Sequence, residues 1–392
     1  MRATFLELFF DVIYVFAFTR ITSRSVEVLA GPSADFVDSA AANVAKGVFV
    51  LLTLWFLWHL TVWTTSRYDP NYPMVQAVIV LALVSSMVMG VAVPGAFGSR
   101  GLAFAIAYVV AQTGRVLILI IGDRAPERRQ LKLRVLITFG ATGILWIVGA
   151  ALEGGWRGTL WGLALGVELV MARAGWPIPG LGRSDVKAIT IAGEHLADRY
   201  QQLFFVALGE MALSMGRSYS EGDIDPSHTI AFAVSLAISI LMWRIYVYRA
   251  GQVLLDTVSM SVRPGSVVWK TADSHLVMVA GVVTTAIGQD LVIDHPFDSN
   301  HLSWTILILG GPAVFTLGRA RFEYEVFSRV SPSRFAALAV LAMLVPVMVH
   351  LPPLAALLSA AVVLAASAIV DARRSAGKPP ESPFPPPERL ST

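Results

Sequence analysis

Glu7 and Asp11 stand four residues apart in an otherwise apolar stretch, TFLELFFDVIYVFAFTRIT at 4–22. On a helix that spacing sets both carboxylates on one face, and Tyr14 and Phe18 continue it. A second stretch, GEHLADRYQQLFFVALGE at 193–210, carries His195, Arg199 and Gln202 at i, i+4, i+7, one polar stripe on an apolar helix. Glu210, fifteen residues after His195, returns to about 60° from that stripe. Acids, a histidine and an arginine inside apolar helices can bind and release protons. They can also hold a solute ion, or act as general acid and base. Further ionisable groups in apolar runs are His59, Arg115, Glu168, Glu194, Asp198, Arg244, His275 and Asp290.

Groups of this kind need a scaffold that keeps them out of lipid. A carboxylate at bilayer depth costs about 2.5–3.5 kcal/mol on insertion scales, so the polar face of 4–22 must turn towards other helices or water. Hydrophobic residues make up 55% of the 392, charged residues 15%, and the mean hydropathy is +0.65. That is an integral membrane protein: an all-α, polytopic transmembrane bundle. The net charge of +3 is modest, and no basic patch for nucleic acid is present. With no Cys, disulfides, thiolate zinc sites, iron–sulfur clusters and cysteine nucleophiles are excluded. Glu7 and Asp11 interrupt the first apolar run and no small-residue cleavage site follows, so the N-terminus does not read as a cleavable signal.

Twelve segments have the length and polarity of spans: 4–22, 44–66, 73–93, 101–121, 135–152, 158–172, 196–216, 228–248, 274–293, 302–318, 335–350 and 353–370. Residues 23–43 and 249–273 are expected as long connections, the second turning at Arg263-Pro264-Gly265. Residues 1–370 form the bundle, and the Pro-rich 371–392 is expected to be a disordered cytoplasmic tail. Of the 30 Lys and Arg, three (Arg115, Arg199, Arg244) fall within spans and six (Arg20, Arg24, Lys46, Arg100, Arg157, Arg217) on one side. The other 21 share the side of the N-terminus. The positive-inside rule therefore places both termini in the cytoplasm.

With that orientation, nearly all the buried charges occupy the cytoplasmic half. Glu7, Asp11, His59, Arg115, Glu168, Glu194, His195, Asp198, Arg199, Arg244 and His275 form one layer, and Glu210 and Asp290 lie towards the outer ends of their helices. Glu168, Glu194 and Asp198 sit near helix ends, where an interfacial position serves as well. Mutually satisfied ion pairs that fix helix register are the structural account of the same layer. His275 and Asp290 repeat the spacing of His195 and Glu210, which fits either an internal repeat or coincidence.

No P-loop, HExxH, DDxxD or GxSxG motif occurs, so no cofactor or metal is expected. GLGRS at 180–184 reads as a turn rather than a phosphate cradle. ELFFDVIYVFAFT, NYPM, PGAFGSRG, Gln112 with Gly114-Arg115, PGLGRS, GEHLADRYQQLFFVALGE and GQDLVIDHP occur in that order from residue 2 to about 370. Together they resemble the bacterial low temperature requirement protein A (LtrA) family. The resemblance implies a multi-pass protein of the bacterial cytoplasmic membrane, and maps signature residues onto Glu7, Phe9, Phe10, Asp11, Arg115, Glu194, His195, Arg199, Gly209 and Glu210. Arg20, where the family carries an uncharged polar residue, and the short leader depart from the pattern and bear on specificity.

Three functions fit these residues. One is a proton- or ion-coupled secondary transporter of a small solute, with Glu7, Asp11 and His195 titrating and Arg115, Arg199 or Arg244 holding an anion. Another is an intramembrane enzyme acting on a lipid or isoprenoid-like substrate by carboxylate and His chemistry. The third is a non-catalytic receptor or assembly factor. The expected partners are the bilayer and an unknown small solute or lipid, with no nucleic acid. Asp11 is expected within ion-pair reach of a base on the segment 101–121 or 196–216.

Overall fold

The protein, seen in a computed structural model, is described for residues 3–30, 37–123, 126–152, 154–184, 192–222, 224–260 and 264–376. Among these are twelve α-helices: α1 (Phe5–Leu29), α2 (Val37–Arg67), α3 (Pro73–Ala92), α4 (Gly101–Gly122), α5 (Pro126–Ala151) and α6 (Gly155–Ala174). There follow α7 (Gly193–Glu221), α8 (Pro226–Met260), α9 (Pro264–Asp294), α10 (Leu302–Phe327), α11 (Pro332–Met348) and α12 (Pro353–Ser375). Six of them begin on proline, whose fixed φ suits the first helical position and whose missing N–H is an orphan there anyway. Among the described residues, eight helices are long and apolar enough to cross a membrane: α2 to α5, α8 to α10 and α12. The apolar α11 has only 17 residues. The remaining three, α1, α6 and α7, carry several charges each.

The helices outrun the apolar segments from which they were expected. The connection anticipated at 249–273 is mostly helix: α8 continues to Met260 and α9 starts at Pro264. Loss of hydrophobicity ends a span, whereas a helix ends only where a breaker or cap stops it, here Pro264-Gly265. Likewise α1 runs to Leu29, α10 to Phe327 and α12 to Ser375, five residues into the expected tail. The rest of that tail, from 377, lies outside the described residues.

The chain divides into two compact units. The first holds residues 1–21, 46–199 and 263–266. Its sequential helices α3 to α6 pack as neighbours around an aromatic core. Trp146 and Trp161 lie 5.2 Å apart between ring centroids, with Phe49 and Phe104 stacked on Trp161. The second unit holds 22–45, 200–262 and 267–392. There α9 and α10 meet through Gly281, Gly288, Gly311 and Gly318. A Cβ on Gly281 would stand 2.3 Å from the Phe315 nitrogen, and one on Gly311 2.6 Å from that of Thr285. Glycines seven residues apart on each helix let the backbones touch, the usual means of close packing in lipid. PGLGRS does form a turn, with Gly180 and Gly182 at positive φ and an antiparallel bridge from Ile178 to Gly182.

Candidate functional site

In the first unit, the start of α1 is fixed by a reciprocal cap. Thr4 N donates to Glu7 Oε2 at 2.9 Å while Glu7 N reaches Thr4 Oγ1 at 3.4 Å, the pattern of a capping box. The same carboxylate meets α7. His195 Nε2 lies 3.2 Å from Glu7 Oε1, and Arg199 Nη1 lies 3.3 Å from it. Arg199 Nη2 donates to Asp11 Oδ1 at 2.6 Å, and Trp58 of α2 donates to the same oxygen at 2.8 Å. His195 Nδ1 is 2.9 Å from Ser66 Oγ, and the Ser66 carbonyl accepts from Ala192 N just before α7. A carboxylate only accepts, so the proton between His195 and Glu7 is on Nε2. Glu7, His195 and Arg199 are wholly buried, and Asp11 is 2% exposed.

These pairs define helix direction. Glu7 meets His195 and Asp11 meets Arg199, four residues on in both helices, so α1 and α7 run parallel there with a constant offset of 188 positions. The partner expected for Asp11 is Arg199. Each charge in the set has an opposite charge or a hydrogen-bond donor against it, which is what a buried ion-pair cluster must have to persist.

A second buried group occupies α4 to α6. Tyr108 donates to Glu168 Oε2 at 2.5 Å and Trp146 Nε1 to Glu168 Oε1 at 3.1 Å. Glu168 is wholly buried. Arg115 donates through Nη2 to Gln112 Oε1 at 2.9 Å and lies 5.7 Å over the Phe139 ring. His59 is stacked on Trp55 at 4.8 Å and lies 6.1 Å from Trp63. Tyr14 makes hydrogen bonds to the Leu54 carbonyl and to Ser86, both at 3.1 Å. Of the remaining candidates, Glu194 is exposed in the first turn of α7 and Arg244 is exposed on α8.

In the second unit Asp290 of α9 accepts from Ser214 of α7. Glu210 stands one turn before Ser214 on the same face and lies within electrostatic reach of Asp290. Both Glu210 oxygens and Asp290 Oδ1 are buried, with the Thr22 hydroxyl set against Glu210 and that of Ser218 against Asp290. The basic group that reaches both acids is Arg217, whose Nη2 is given to Ser23 at 2.9 Å. Gln202 is half-buried, its Oε1 without a partner. His275 is held by the Thr271 carbonyl at 2.8 Å and Tyr246 at 3.1 Å, a local arrangement unlike that of His195.

One network was invisible in the sequence. Arg334 bridges Glu323 at 3.1 Å and Asp371 at 2.5 Å, and Arg319 lies 3.6 Å from Glu323, tying α10, α11 and α12 together. The two arginines read as loop charges and Asp371 as tail because the apolar runs stop short of them. Trp58, Tyr108 and Trp146 were also missed, since an aromatic donor in an apolar run looks like any other core residue. Among the described residues, no group of three or more His, Asp or Glu could hold a metal ion.

Twelve helices, eight of them able to cross a bilayer, and charges paired in the interior define a multi-pass membrane protein. The chain belongs to the bacterial low temperature requirement A protein (LtrA) family, whose model matches residues 2–369. It is similar to the uncharacterized protein RA0937 of Rhizobium meliloti (strain 1021), with 29% identity over 337 residues, 84% of this chain and 79% of the relative. No solved structure matches.

Proposed function

We propose that the protein is a proton- or ion-coupled secondary transporter of a small solute, crossing the bacterial inner membrane twelve times with both termini in the cytoplasm. The observation that carries this reading is the Glu210–Asp290 pair. Two buried carboxylates lie within electrostatic reach of each other, their hydrogen-bonding neighbours are the hydroxyls of Thr22, Ser214 and Ser218, and among the described residues neither acid has an ion pair. Ion pairing accounts for Glu7 and Asp11 but does not extend to these two. Like charges so placed in a medium of low dielectric are neutralised by a proton or a monovalent cation. Asp294 adds a third negative charge near Asp290, and Arg217 is the basic group set against them. Acids that take up and release a cation are what couples a carrier to an ion gradient.

The parallel run of α1 and α7 supports the span count. Five helices lie between them in sequence, so α7 regains the direction of α1 if each of the first six helices crosses the membrane. The excess of Lys and Arg on one side supplies the orientation.

The test uses the purified protein in proteoliposomes, screened with amino acids, organic acids, sugars and amines under an imposed proton or Na⁺ gradient. The expected result is gradient-driven solute uptake, lost in Glu210→Gln while the variant keeps its elution profile and melting temperature. Absence of gradient-dependent uptake for every solute, together with a melting temperature that neither Na⁺ nor pH moves differently in wild type and Glu210→Gln, overturns the proposal.

A further inference from the structure

The three intramembrane arginines of the sequence have different fates. Arg199 is consumed by Glu7 and Asp11, and Arg244 is exposed. Arg115 is buried, 6% exposed, and among the described residues no carboxylate lies in ion-pairing distance of it. The acid within electrostatic reach, Glu168, takes its hydrogen bonds from Tyr108 and Trp146 instead. Arg115 gives Nη2 to the Gln112 side-chain oxygen, which leaves Arg115 Nε buried without an acceptor, and the Gln112 amide stands against the Tyr108 hydroxyl. Gln112 is itself 2% exposed. The floor is the Phe139 ring, and His59 of α2 feels the charges of Arg173 and, less strongly, Arg115.

A buried guanidinium that lacks both a carboxylate and an acceptor for its Nε is costly unless something brings one. Where Glu210 and Asp290 gather negative charge, this place holds a positive charge, and among the described residues neither has an ion pair. We propose that Arg115 and Gln112 of α4 form an anion site that takes the carboxylate group of the transported solute. The fork of Nε and Nη2 is planar and matches a carboxylate, with Gln112 Nε2 beside it as a further donor. One guanidinium balances the single charge of a carboxylate but not the two of a phosphate. Gln112 fixes the fork through its oxygen and offers an amide hydrogen to the same ligand. The fate of the anion rests on the transport reading, whereas its binding does not.

The experiment measures binding by the purified detergent-solubilised protein, without any gradient. Melting temperature is followed against millimolar acetate, succinate, glutamate, inorganic phosphate and sulfate at constant ionic strength. At least one carboxylate raises it in a saturable way, Arg115→Lys weakens that binding, and Gln112→Leu weakens it five-fold or more. Gln112→Leu keeps size and removes the amide, so it remains informative if Arg115 variants do not fold. No shift by any carboxylate, equal shifts in wild type and Gln112→Leu, or a response confined to phosphate and sulfate overturns the assignment. Carboxylate binding without gradient-driven uptake leaves the site standing and removes the transport reading. Uptake that Gln112→Leu leaves intact does the reverse.

Discussion

At the scale of the residue, Arg199 does more than any other side chain in its unit. It faces Glu7 and Asp11 at once, so its loss leaves two buried carboxylates with one histidine between them. Breaking such a set from one side costs about 3–5 kcal/mol. Arg199→Leu is therefore expected to lower the melting temperature of the purified protein sharply or abolish its accumulation. Asp11→Asn is much milder, because an amide oxygen still accepts from Arg199 and Trp58. Similar effects from the two variants would refute the ion-pair account. Trp58→Phe removes the second donor to Asp11 and is expected to cost about 1–3 kcal/mol, measured in the same melting experiment. The acids and bases of this cluster were legible in the sequence because a charge in an apolar helix needs a reason. Trp58 and Ser66 were not, because a tryptophan N–H or a serine in a membrane helix needs none.

Elements were read well in number and poorly in extent. Hydropathy measures how much of a helix suits lipid, so it found twelve segments and truncated nearly all of them. The ends carry Glu323, Arg334 and Asp371, and the network that joins three helices vanished from view with them. Packing between elements was no more visible, since a glycine at a seam and a glycine facing open space have the same letter. The distinction is testable. Gly281→Val drives a side chain into the α10 backbone and is expected to abolish a folded, monodisperse protein. Gly158→Ala meets nothing within 4 Å and is expected to be neutral or to stabilise by up to about 1 kcal/mol in thermal unfolding. The start of α8 carries its own pH dependence. Asp225 Oδ1 accepts from His228 N at 2.9 Å and Ser227 N at 2.8 Å. The His228 amide first, then the Ser227 and His228 side chains, hold its carboxyl well below the usual carboxylate range. A depressed value means that the cap contributes fully above the unfolded pKa of about 3.9 and is lost as pH falls through the folded one. Amide exchange at Ser227 and His228, corrected for intrinsic rates, should lose protection below about pH 4 in the wild type. In Asp225→Ala that protection should be missing at every pH.

For the whole molecule, the sequence carried the class and the family, and left the choice of activity to chemistry that no motif spells out. Orientation follows from where Lys and Arg accumulate. Reporter fusions after Gln130 and after Lys378 are expected to report the cytoplasm, and fusions near Arg24 and Ser299 the outside. A cytoplasmic signal at Ser299 would break the twelve-span topology. The division of labour among the buried charges was legible for Asp11, whose partner was expected on α4 or α7, and not for the rest, because pairing is a property of distance. Glu7 and Glu210 look alike in the sequence, and only their neighbours show that one meets a guanidinium and an imidazole and the other a hydroxyl and a second acid.

The register between α1 and α7 has a consequence for biogenesis. Glu7 and Asp11 leave the ribosome 188 positions ahead of His195 and Arg199. At about 5–20 residues per second, the first helix waits on the order of 10–40 s before its counter-charges are made. During that interval Glu7 and Asp11 have no counter-charge within reach, since Arg20 and Arg24 lie more than two turns further along α1, and the helix must be sheltered by the insertion machinery or held at the membrane surface. A fragment ending at Ser184 should accordingly be degraded when expressed alone, and co-expression of the remainder from Asp185 should rescue it, with Arg199→Leu in the second fragment abolishing the rescue.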